Sequence, residues 1–103
     1  MPFWNLNTLQ LEEFRPGITS KAVIGNDLIM VCMQIEGGKE DMGHEHPFDQ
    51  CGMVIEGQIE MVVGADRRIL NVNECYFIPA GEHHSWKTFD KSVTLLDISL
   101  KQS

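Results

Sequence analysis

"GHEHPFDQ", residues 43–50, decides how this chain reads. His44 and His46 stand one residue apart, and Gln50 follows shortly after. Side chains of an extended segment alternate between its faces, so residues two apart share one face. His44 and His46 then point the same way. As neutral nitrogen donors, their imidazoles can reach a single ion. Pro47 keeps His46 itself extended, because the proline ring crowds the helical conformation of the residue before it. Gln50 lies an even number of residues further on and offers a carbonyl oxygen from the same side. Glu45, between the two histidines, is expected to point away.

A further donor lies far along the chain, in "PAGEHHSW", residues 79–86. Pro79 and Gly81 predict a sharp turn just before a pair of histidines. On the strand that follows, His84 and Trp86 share one face, while His83 shares the other with Ser85. Only one of the two histidines can enter a common pocket, and periodicity does not choose between them. All 4 histidines of the chain fall in these two segments. H-x-H alone is a weak signal, but two clusters, each beside a turn and a strand, point to a metal site. Imidazole and oxygen donors admit Zn, Ni, Fe, Mn or Cu, so the donor set indicates a divalent transition metal without selecting one.

The rest of the composition narrows the setting. A chain of 103 residues suits one domain. Its net charge of -7 argues against nucleic acid, since little here would neutralise phosphates. The one basic cluster, Arg67-Arg68, falls in an expected turn. No apolar run approaches the ~20 residues of a spanning helix, so no membrane partner is expected. The start, "MPFWNLNTLQ", lacks the basic and apolar regions of a signal peptide, and a cytoplasmic location is the expectation. Cys32, Cys51 and Cys75 are odd in number and show no C-x-x-C spacing, so they are expected to be small buried thiols and not a disulfide framework.

The chain reads as short strands cut by turn signals. "DLIMVCMQI" (27–35), "CGMVIEG" (51–57), "QIEMVVG" (58–64), "ECYFI" (74–78) and "SVTLLDISL" (92–100) are the expected strands. "GGKEDMG" (37–43) reads as a loop, "EGQ" as a tight hairpin and "GADRR" as the next turn. Only "TLQLEEF" (8–14) has the spacing for a turn or two of helix. Many short strands at regular intervals imply an all-β sandwich or barrel. In the last strand, periodicity sets Thr94, Leu96, Ile98 and Leu100 against a core and Asp97 elsewhere. Val93 and Leu95 make the second face apolar as well. One side is then the barrel interior and the other a subunit interface.

The motifs resemble those of the cupins, small β-barrels of jelly-roll type built from two antiparallel sheets. The first cupin motif runs from a glycine through H-x-H and a glutamate to a second glycine. Its spacing is met here by Gly38, His44-Glu45-His46, Gln50 and Gly57. The second motif is met by Asn73 in place of its glycine, by Pro79-Ala80-Gly81, by His84, and by Thr88 in place of its asparagine. The resemblance implies a single cupin domain over residues 1–103, with motif one at 38–57 and motif two at 73–88. It selects His84 over His83, and implies a metal held by His44, His46, Gln50 and His84 at one mouth of the barrel.

Glutamine in place of glutamate leaves the double charge of a divalent ion uncompensated by its protein donors. The ion then remains a stronger Lewis acid whose open positions favour an anionic ligand. Alternatively, Gln50 only hydrogen-bonds a metal-bound water. Small cupins of pectin degradation, which linearise unsaturated galacturonate, look similar in carrying glutamine there. In that group an aspartate on the final strand serves in proton transfer, which implies Asp97 as the catalytic general base. The aromatic residue two positions later in that group is Ser99 here, and the arginine that follows it has no counterpart within this sequence. Trp86 is the candidate to line the substrate pocket, with Phe48 and Met53 weaker ones.

The function expected from these readings is a metal-dependent isomerase or lyase on a small anionic substrate, uronate-like or another carboxylate. An iron-dependent dioxygenase and a non-enzymatic binding or sensor module are the alternatives. A homodimer is expected from the apolar last strand and the aromatic Phe3 and Trp4.

Overall fold

Short runs rich in Val, Ile and Met, punctuated by Gly, Pro and Asn, favour strands over helices. A computed structural model describes residues 3–102, and among them are ten strands and no helix. They are β1 (Glu12–Arg15), β2 (Ile18–Ile24), β3 (Leu28–Ile35), β4 (Glu40–His44), β5 (Gln50–Glu56), β6 (Ile59–Val63), β7 (Asp66–Leu70), β8 (Cys75–Ile78), β9 (His84–Thr88) and β10 (Val93–Leu100). Six form one sheet in the order β1-β2-β3-β10-β5-β8, and four form the other in the order β4-β9-β6-β7. All the pairings are antiparallel. This is the expected jelly roll. No ladder of hydrogen bonds joins the edges of the two sheets among the described residues, so it is a sandwich and not a closed barrel.

The core lies between the sheets. Ile35, Val54, Ile59 and Val93 are fully buried there, each contributing ~1.5–3 kcal/mol by burial. Val93 and Leu95 belong to this core, which overturns the face assignment of the last strand. The inward face of β10 carries Val93, Leu95 and Asp97, and Leu96, Ile98 and Leu100 look outward. The outer face reads as apolar because it too is partly covered. Leu6, Leu9 and Leu11 of the N-terminal segment share a pocket on that side with Thr94 and Cys32, which is buried although it points away from the core. Of the cysteines, Cys32 alone is buried; Cys51 is half-buried, Cys75 is exposed and all three are free.

Other local readings are corrected by the topology. "EGQ" is not a hairpin, because β5 and β6 belong to different sheets and the chain crosses between them there. Gly57 makes the crossing with a left-handed φ of 84°, and a Cβ there would lie 2.4 Å from the Ser92 carbonyl. The true hairpin is the next one, where Gly64-Ala65 joins β6 to β7 with Val63 opposite Asp66. Arg67 and Arg68 therefore lie on β7, and Arg67 donates to Glu60 at 2.7 Å. Residues 8–14 form no helix and end in β1, and half of the expected loop at 37–43 is β4.

Two departures from the second motif find physical reasons. Asn73 has a φ of 73°, a left-handed conformation that asparagine tolerates better than other side-chain-bearing residues. An Asn73→Ala variant is expected to lose ~1 kcal/mol, lowering the melting temperature by roughly 4–8 °C, and calorimetry checks it. Thr88 is buried, donates to the Glu36 carbonyl at 2.8 Å and accepts from the Lys39 N–H at 2.9 Å. It ties the end of β9 to the turn ahead of β4.

Candidate metal centre

The β4·β9 pair runs in register from Asp41 opposite Trp86 to His44 opposite His84, with one extra residue on β4. That bulge decides where His44 points. Asp41 faces inward with Trp86, and strict alternation would turn His44 out. The inserted residue turns it in again. Gly43 makes the bulge, with a φ of 115° and the His83 ring packed so close that a Cβ would lie 2.4 Å from it. His46 follows two residues later on the same side.

The three rings meet at the mouth of the sandwich. Ligand nitrogens of His44, His46 and His84 all lie within 4.8 Å of one another, which positions the three to hold a metal ion. Ring centroids are 4.4 Å apart for His44 and His84, and 4.6 Å for His44 and His46. Their outer nitrogens are held from behind. His44 Nδ1 lies 3.2 Å from the Asp41 carboxylate, and His84 Nδ1 lies 3.1 Å from the Glu82 carbonyl. Both partners are acceptors, so the tautomer that satisfies them carries its proton on Nδ1 and has a free Nε2 lone pair, the arrangement usual behind a metal-bound histidine. Burial, then the charges of His44 and His84, push His46 below the usual histidine range, so its ring is neutral and able to donate. Partial burial pulls Asp41 up, but hydrogen bonds from the Gly43 N–H and His44, with the charges of His44 and Arg15, outweigh it and hold the carboxyl below its usual range.

Two buried polar atoms here have no hydrogen-bond partner: His84 Nε2 and Gln50 Oε1. An orphaned buried acceptor costs ~1–3 kcal/mol. Both orphans are lone-pair donors, one nitrogen and one oxygen, and a cation is what such a pair would satisfy. The residues present therefore fit a metal ion.

Gln50 is oriented by a partner that runs across the sheet. Its Nε2 donates to both oxygens of Asp97, at 3.1 and 2.9 Å. That settles which end of the amide is which and leaves Oε1 free. Asp97 itself points into the core, as the corrected face of β10 requires. Tyr76 donates its hydroxyl proton to the same carboxylate. The register explains how a tyrosine reaches so far. Asp97 lies opposite Gly52, and Gly52 opposite Tyr76, so the three form one row across β10, β5 and β8. A Cβ on Gly52 would sit 2.3 Å from the tyrosine oxygen. Burial raises the Asp97 carboxyl, against hydrogen bonds from Tyr76 and Gln50 that lower it. Burial, then the charge of Asp97, pushes the Tyr76 hydroxyl well up, so it remains a proton donor.

Behind the histidines lies a cavity of about 190 Å³, with Gln50, Asp97, Trp86, Met33 and Arg15 in its walls. Trp86 thus stands at the cavity. Phe48 does not line it, and instead stacks flat on the His46 ring at 4.6 Å. His83 turns away to Glu45, 3.2 Å distant, and both are exposed. Tyr76 and Arg15 are additions that the sequence reading did not single out. Tyr76 alternates inward with Ile78 on β8, a signal that was present. Arg15 was hidden because its strand read as helix.

A family model described as "Cupin domain" matches residues 31–99. The pectin degradation protein KdgF of Dickeya dadantii (strain 3937) is 31% identical over 88 residues, which is 84% of this chain and 80% of that protein. The structure of KdgF from a Halomonas species superposes with a TM-score of 0.86 at 23% identity, covering 100% of this chain and 96% of that one. An RmlC-like cupin from Shewanella frigidimarina NCIMB 400 superposes with a TM-score of 0.84 at 19% identity, covering 99% and 92%. The last two likenesses concern the fold.

Proposed function

This chain belongs to the cupin domain family, and from that premise we propose that it is a metal-dependent isomerase or lyase acting on a small uronate-like carboxylate. The observation that carries the reading is the pair of unpartnered donors, Gln50 Oε1 and His84 Nε2, beside the converging histidines. His44, His46, His84 and Gln50 would hold the ion. When bound, it supplies Lewis acidity, polarising an oxygen of the substrate.

The chain's own residues do the rest. Asp97 is the general base. Its carboxylate keeps an unused lone pair beside those that accept from Gln50 and Tyr76. Burial raises its carboxyl above the usual carboxylate range, which makes it a stronger base. Trp86, Met33 and Val31 give the cavity an apolar wall that limits water around the substrate. Similarity to a pectin degradation protein supports a sugar acid as the substrate class. The test is turnover of unsaturated galacturonate by metal-loaded protein. Oxygen uptake by the iron-loaded form, without such turnover, would favour the dioxygenase reading instead.

Two copies are proposed to pair through the outer face of the larger sheet, where Met53, Leu96 and Ile98 surround exposed Phe77. Leu96→Asp is expected to shift the protein to a monomer in sedimentation, and a wild-type protein that sediments as a monomer overturns the pairing.

A further inference from the structure

We propose that Arg15 is the anion anchor of the cavity, taking the carboxylate of a single sugar-acid unit whose other end faces the histidines. The inference rests on the reading above that the substrate is a small carboxylate.

Placement is the first argument. Arg15 is on the edge strand β1, where a side chain would ordinarily face solvent. A bulge between Glu13 and Arg15 sets Arg15 opposite Ile18. Ile18 in turn pairs with Ile35, and both belong to the buried core. Arg15 therefore stands on the inward row at the sheet's edge, where it remains exposed to solvent. From there it reaches the same cavity that His44, His84, Gln50 and Asp97 line.

The second argument is charge. Among the described residues lining that cavity, Arg15 is the sole lysine or arginine. Its guanidinium makes no hydrogen bond or ion pair among the described residues, and the Phe14 ring lies 5.7 Å from the cationic carbon. Asp41 is the acid beside it, but that carboxylate already accepts from the Gly43 N–H at 2.8 Å and faces His44 at 3.2 Å. The planar fork of Arg15 is thus available, and a planar carboxylate is the group that matches it with two parallel hydrogen bonds.

The third is size. About 190 Å³ equals roughly six waters at ~30 Å³ each. That volume suits one monosaccharide unit. Such a unit would be held at one end by charge and at the other by oxygen donation toward the histidine cluster.

The experiment is calorimetric titration of zinc-loaded protein with D-galacturonate and with D-galactose, its uncharged counterpart, with zinc content measured for each variant. Wild type should prefer galacturonate. Arg15→Gln should weaken galacturonate by about 10- to 100-fold, leave galactose unchanged and keep its zinc, while Arg15→Lys should fall between. If wild type prefers galacturonate and Arg15→Gln binds it equally well, the anchor is refuted and the anionic-substrate reading survives. If wild type shows no such preference, or binds neither sugar, that reading falls and takes the anchor with it. Loss of zinc from Arg15→Gln would assign Arg15 a structural role and overturn the proposal.

Discussion

A His84→Ala variant is expected to lose the metal that the wild type retains. Replacing an outer partner of a ligand costs 10- to 100-fold in affinity, and removing a ligand outright is expected to cost ~100-fold or more. His84 is the most deeply buried of the three, at 3% exposure, and the only one contributed by β9. No neighbouring donor replaces it, since His83 is turned outward onto Glu45. Elemental analysis after dialysis reads the loss directly. Thermal unfolding reads it independently. An ion at a hundred times its dissociation constant stabilises the wild type by ~2.7 kcal/mol, a rise of roughly 10–20 °C for a domain of this size. His84→Ala should show almost none of that rise, and His83→Ala all of it. An alanine variant at position 84 that retains wild-type metal would sink the assignment.

The second large effect is expected at Asp97. Asp97→Asn removes the charge but nearly preserves the shape, so turnover should fall by ~10²–10⁴-fold, the usual contribution of a positioned base. The asparagine oxygen can still accept from the Gln50 amide, so metal affinity should fall by no more than about 10-fold, the low end of the cost of losing such a partner. Tyr76→Phe separates holding from reacting. The tyrosine hydrogen bond favours the ionised carboxylate. Without it the Asp97 value rises further, and activity should be lost at a higher pH on the acidic side of the profile. The double variant should be less impaired than the two single effects combined, because the residues touch. Unchanged turnover in Asp97→Asn would dispose of its role as base.

The fold was legible because the paired motifs fix the order of strands and turns around residues that must be what they are. Gly38 and Gly57 both take left-handed conformations, and Asn73 takes a third in place of glycine. The three histidines were legible because alternation sets His44 and His46 on one face and the motif selects His84 over His83. What stayed hidden depended on the third dimension. Turn residues at "EGQ" announce a reversal but do not say that the chain changes sheets. The last strand reads inside out because both of its faces are apolar, and which of them meets the core is set by tertiary packing. The bulge at Gly43 shifts parity by one, which alternation alone cannot anticipate. Gly52 carries the least sequence signal of all. It passes as a gap in an apolar strand, yet it opens the lane along which Tyr76 reaches Asp97.

The proposed donors are drawn from both layers: His44 and His84 from one sheet, Gln50, with Asp97 behind it, from the other. Hydrogen-bond ladders hold each layer together but do not stitch one to the other, so at this end cohesion depends on side-chain packing around a hollow. An ion held from both sides, as proposed, would act as a cross-brace at the rim. Its occupancy would then set how tightly the two halves of the sandwich are laced at the opening.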